Sequence, residues 1–139
     1  MGRSILNWLV IFILAYGFGY LIHGVLLAPD YQALPPDTWR APAQMMANMP
    51  FMLIGYAFYA AALVWIYKQG VKPGAWIPQG VRFGIAVWAL TSVPAALITY
   101  TVSRYHWYTV TKWMCFEFVS IIILGIVTAA FSKGATAHA

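Results

Sequence analysis

Charge is what this chain has least of. Of its 139 residues only 8% are Asp, Glu, Lys or Arg, while 63% are hydrophobic. Soluble domains carry about 25% charged and 45–50% apolar residues. So few charges cannot cover so much apolar surface, and lipid must replace water over part of it. Acidic residues are rarest of all: Asp30, Asp37 and Glu117 are the only three. They leave few ways to assemble a paired-carboxylate site. No serine–histidine–acid set, glycine-rich phosphate loop or H-E-x-x-H run is present either, so the chain reads as a non-enzyme. A single cysteine, Cys115, excludes an intramolecular disulfide and any C-x-x-C redox or zinc motif. The net charge of +5 does not point to nucleic acid, because the eight basic residues are scattered at the ends of apolar runs instead of clustered on one element.

What the chain does have is four apolar runs, 5–28, 44–67, 79–101 and 110–131, separated by proline-rich or charged segments. About 20 helical residues cross a hydrocarbon core of roughly 30 Å. The expected fold is therefore all-α, an integral membrane four-helix bundle forming one domain over residues 1–139. The first run is read as a retained span and not a signal peptide, because it is too long for an h-region and Pro29 follows Ala28 where a small-residue cleavage site would be needed. Placing both termini in the cytoplasm puts Arg3, Lys68, Lys72, Arg82 and Lys133 inside and Arg40, Arg104 and Lys112 outside. Five against three favours N-in/C-in, with Trp8, Trp65 and Trp76 at the inner interface and Trp39, Trp107 and Trp113 at the outer one. The outer loop 29–43 holds Pro29, Pro35, Pro36 and Pro42, which disfavour a long helix there.

Ionisable groups within a membrane are costly and therefore mark candidate sites. Glu117 lies seven residues into the fourth run, roughly 10 Å below its outer end at 1.5 Å per residue. His23 lies five residues before the end of the first run, roughly 7–8 Å deep by the same rise. Asn48 and Tyr100 fall at similar depth on the second and third runs, although Asn48, two residues before Pro50, also suits a helix cap. These four residues form the expected polar cluster. Helical spacing aligns Tyr16, Tyr20 and His23 on one face, and Glu117, Ser120, Leu124 and Thr128 on another. The cluster is either a clamp between helices or a site for a ligand or proton, since intramembrane polar residues serve both ends.

Gly80 and Gly84 form a G-x-x-x-G pair that allows close helix approach. Pro94 lies inside the third run, where Thr91 and Ser92 are placed to take up freed carbonyls. Soft donors, Met45, Met46, Met49, Met52, Met114 and Cys115, gather towards the outer side. Such donors suit Cu(I). However, their spacing matches no metal motif, and methionine is a common gap-filler. No metal or other cofactor is expected.

The segment His23-Gly24-Val25-Leu26-Leu27-Ala28-Pro29-Asp30-Tyr31, followed by Trp39-Arg40, resembles a group of small bacterial inner-membrane proteins without an assigned function. Gln79-Gly80-Val81-Arg82-Phe83-Gly84, with Pro94 and Tyr100, is similar to that group's third helix. The resemblance implies four helices and a bacterial membrane, singles out the stretch 23–40 as a functional or docking region, and brings no catalytic residues. The function expected is action by association, as a subunit or accessory of a membrane complex or as a homo-oligomer. The alternative is a small transporter or channel whose site is Glu117, His23 and Asn48. Expected partners are the lipid bilayer and a membrane protein or second copy of the chain.

Overall fold

The computed structural model describes residues 2–35 and 38–133. Met1, Pro36, Asp37 and residues 134–139 lie outside the described residues. Those described are helical or irregular, with no strand among them. Helix α1 (Gly2–Gly19) continues as a π-helical segment, Tyr20–Leu26, and is followed by α2 (Ala28–Gln32), α3 (Pro42–Ala47), α4 (Met49–Gln69), α5 (Trp76–Val102) and α6 (Trp107–Ser132). Four helices are long and apolar enough to cross a membrane: Gly2–Leu26, Met49–Gln69, Trp76–Val102 and Trp107–Ser132. They alternate in direction. One end of the bundle therefore carries the 27–48 connection and the α5–α6 turn (the loop end), and the other carries Gly2 and Ser132 (the terminal end).

The proline-rich connection is more helical than its sequence suggests, because Pro29, Pro42 and Pro50 each occupy a first turn. Pro29 and Pro42 open α2 and α3, and Pro50 stands in the first turn of α4, where the missing N–H costs nothing. The second apolar run is accordingly split at Asn48 into α3 and α4. In α5, Thr91 Oγ1 donates to the Val87 carbonyl at 2.8 Å, and not to the Leu90 carbonyl that Pro94 leaves without its amide.

The core is an apolar seam in which Ile11 and Ala15 of α1, Ala60, Leu63 and Val64 of α4, and Leu124 of α6 are buried together. Tryptophan N–H groups tie the helices across this seam: Trp8 donates to the Ala57 carbonyl and Trp88 to the Met114 carbonyl, both at 3.0 Å. Helix α5 lies on α6 at backbone contact. A Cβ on Gly80 would stand 2.7 Å from Ile126 Cα, and one on Gly84 would stand 2.7 Å from Ile122 Cα. Facing them, a Cβ on Gly125 would run into the Gly80 carbonyl oxygen. The G-x-x-x-G pair thus serves a contact inside the chain, completed by a third glycine.

Helices α4 and α5 meet near the terminal end, where Tyr67 and Phe83 stand edge to face with centroids 5.2 Å apart. Nearer the loop end a cavity lies between the two helices.

Candidate functional site

The cavity has a volume of about 450 Å³. Its polar wall comes from three elements: His23 on the π-helical segment, Ser92 on α5, and Trp113, Glu117 and Ser120 on α6. Apart from Thr91, the remainder is aromatic and apolar, including Phe18, Tyr56, Tyr59, Ala96, Ile121 and Leu124.

Glu117 is held from its own helix. One turn earlier, Trp113 Nε1 donates to Glu117 Oε1 at 2.6 Å, the i, i+4 spacing that brings two side chains onto one face. The Ser92 side chain lies beside the carboxylate on the α5 side. Across the bundle, His23 Nε2 is 3.9 Å from the same Oε1. That is ion-pair distance but too long for a direct hydrogen bond. The two side chains keep 33% and 25% of their surface exposed, so the pair is accessible and not sealed.

His23 has a second partner. Its Nδ1 lies 2.6 Å from the Tyr31 hydroxyl, and the two rings are near-parallel at 6.1 Å. Trp113 meets the imidazole edge to face at 5.1 Å. Tyr31 is itself covered by Trp39 and Tyr105, with centroids 5.2 and 6.1 Å away. Burial, then Tyr105 and the carboxylates Glu117 and Asp30, push the Tyr31 phenol well above its ordinary value. Burial likewise raises that of Tyr105. Both phenols therefore stay neutral, and a neutral hydroxyl can donate or accept. The adjacent Asp30 accepts from Lys112 Nζ through both oxygens, at 3.2 and 3.1 Å, which pins α2 to α6 and holds Tyr31 over His23.

The π-helical turn accounts for the direction His23 takes. Leu27 N donates to the Ile22 carbonyl at 2.8 Å, five residues back, and this wider turn breaks the α-helical register. Such turns recur at functional sites. Tyr20, expected on the face of Tyr16 and His23, instead stands outside, 67% exposed.

Of the four residues of the expected cluster, the structure brings His23 and Glu117 together and leaves two elsewhere. Asn48 is exposed at the α3–α4 break, its side chain caps neither helix, and it does not line the cavity. Tyr100 is 43% exposed and meets Trp107 edge to face, with centroids 5.2 Å apart. Gly80 and Gly84 lie in the α5–α6 contact, away from the cavity wall. Met52 lines the cavity, whereas Met45, Met46 and Cys115 are exposed outside it. Among the described residues no three of His, Cys, Asp and Glu converge.

Two contributors to the site, Trp113 and Tyr31, and one buried amide elsewhere in the bundle, Asn7, are not read from the sequence. Trp113 was assigned to an interfacial belt, although its spacing from Glu117 was visible. Tyr31 reaches His23 only because the chain turns back after the π-helical segment, which no period announces. Asn7 is 1% exposed and donates to the Thr128 carbonyl at 3.4 Å, joining α1 to α6. An amide in an apolar run was its only signal.

Comparison with known proteins adds no relative to this picture: no family model, no curated protein and no solved structure matches the chain.

Proposed function

We propose that the chain is a multi-pass protein of a bacterial inner membrane, with both termini cytoplasmic, and that it binds a small ligand or a proton at the Glu117–His23 pair without catalysing a reaction. It belongs on this view with small transporters or intramembrane binding proteins. The observation that supports it best is the cavity of about 450 Å³ with a carboxylate and an imidazole in its wall. A purely structural clamp is better served by a short, sealed contact, whereas this pair stands 3.9 Å apart with both members partly exposed. The membrane assignment is supported by the four long apolar helices and by the scarcity of charge. The orientation is supported by five basic residues at the terminal end against three at the loop end.

A lipophilic carbodiimide applied to native membranes tests the site, because it modifies carboxyl groups reachable from the apolar phase. Peptide mass mapping should find the adduct on Glu117, and the Glu117→Gln protein should lack it. A Glu117 that reacts only after denaturation would overturn the proposal.

Association with a second copy or a partner helix is the second reading, favoured by the open side between α4 and α5. A monomeric, partner-free species in mild detergent would count against it.

A further inference from the structure

We propose that the cavity takes a monovalent organic cation with a compact apolar body, such as a substituted ammonium, which reaches Glu117 from the side of the bundle between α4 and α5. This ligand class presupposes the Glu117–His23 site and adds the chemistry that the site selects.

Charge makes the first selection. Glu117 is the one carboxylate in the cavity wall among the described residues, and no lysine or arginine lines it. His23 is the one wall residue beside Glu117 able to carry a positive charge. The Tyr31 hydroxyl serves Nδ1 as donor or acceptor, so His23 keeps its partner in either state. The wall thus holds one carboxylate and no fixed positive charge, and a carboxylate partly withdrawn from water calls for a cation.

The rest of the wall selects the body of that cation. A bare inorganic ion needs several oxygen ligands to replace its water, and this wall is mostly carbon. Phe18, Tyr56 and Tyr59 line the cavity, and aromatic rings attract ammonium groups carrying alkyl substituents. The volume of about 450 Å³ lies within the roughly 300–1,000 Å³ typical of small-molecule pockets. Trp113 fixes the carboxylate at 2.6 Å, so the anion is in place before a ligand arrives.

The way in is lateral. Met52 and Gly55 of α4 and Thr91 and Ala95 of α5 line the cavity and are solvent-exposed. They lie on the side of the bundle where α4 and α5 are not closely packed against each other. An amphiphilic cation already partitioned into the bilayer meets this side directly.

The test is equilibrium binding of radiolabelled benzyltrimethylammonium to the full-length protein in lipid nanodiscs, against empty nanodiscs. Competitors are the unlabelled cation, its uncharged carbon isostere neopentylbenzene, and the anion phenylacetate. Saturable binding displaced by the cation alone is expected, weakened about tenfold to a hundredfold in Glu117→Gln, as loss of a charged partner predicts. Displacement by neopentylbenzene as effective as by the cation would overturn charge selection, and that arm needs no variant. Phenylacetate binding that His23→Gln abolishes would overturn the cation assignment while leaving the site in place. No cation binding, with Glu117 still labelled by the carbodiimide, would defeat the ligand class alone. Failure of both would defeat the site as well.

Discussion

Nδ1 of His23 and the hydroxyl of Tyr31 lie 2.6 Å apart, and this contact joins a residue inside the bundle to the aromatic cover at its loop end. Replacing Tyr31 by Phe keeps the ring contacts with Trp39 and Tyr105 but leaves Nδ1 without a partner. A net loss of about 0.5–1.5 kcal/mol is expected, the usual worth of one such bond. The pH dependence has a definite sign. Burial raises the folded-state pKa of Tyr31 above its ordinary 10.0, so the folded protein holds that proton more tightly than the unfolded chain. The resulting stability is fully present below about pH 10 and declines as pH rises from there through the folded value. Thermal melts in detergent from pH 8 to 11.5 should show stability falling at the alkaline end, and falling less in Tyr31→Phe. Equal alkaline slopes in the two proteins would remove Tyr31 as the cause.

The backbone contact between α5 and α6 allows a sharp stability test. At Gly125 an added Cβ would meet the Gly80 carbonyl oxygen, and it would stand 3.0 Å from the Gly84 amide nitrogen. These are backbone atoms, with no flexible side chain to give way, so Gly125→Ala must push the helices apart. Overpacking of this kind costs about 1–3 kcal/mol. Gly17 has nothing within 4 Å of its added Cβ, and Gly17→Ala should be neutral or slightly stabilising. Comparable melting temperatures for the two variants would show that the α5–α6 interface tolerates separation.

Orientation can be read by cysteine accessibility. In a protein whose native Cys115 is replaced by Ser, single cysteines at Arg40 and at Lys72 should react differently with a membrane-impermeant maleimide applied to intact cells. Arg40→Cys at the loop end should label, and Lys72→Cys should label only after permeabilisation. The reverse pattern would invert the proposed topology.

The four long helices were legible in the sequence because apolar length is a one-dimensional property. Runs at 79–101 and 110–131 became Trp76–Val102 and Trp107–Ser132, extended at their ends by aromatic and polar turns. Depth was legible for the same reason: counting residues from helix ends set His23 and Glu117 level, and they face each other at 3.9 Å. Direction around the helix was less so. Asn48 and Tyr100 shared the depth and face elsewhere, Asn48 because Pro50 breaks the helix beside it and Tyr100 because it turns to Trp107. The π-helical turn rotated Tyr20 outward against its α-helical spacing. The third glycine, Gly125, lies 41 residues beyond Gly84 in the chain, and only the fold brings it to the G-x-x-x-G pair.

The last prediction separates the two roles of Glu117. Its carboxylate accepts from Trp113 at 2.6 Å and faces His23 at 3.9 Å. Glu117→Gln keeps an acceptor for the indole and removes the charge, so the protein should fold and melt close to wild type. Glu117→Leu strands the indole N–H of Trp113, and leaving such a group unsatisfied costs about 1–3 kcal/mol. A double-mutant cycle with His23→Gln measures the pair itself. Interhelical hydrogen bonds in membranes average about 0.6 kcal/mol, and a partly exposed pair beyond hydrogen-bond distance should couple by about 1 kcal/mol or less. A small coupling with a folded Glu117→Gln protein means that the charge is retained for something other than stability. A coupling of several kcal/mol, with Glu117→Gln unfolded, would make the pair a clamp and remove the ground for a ligand site.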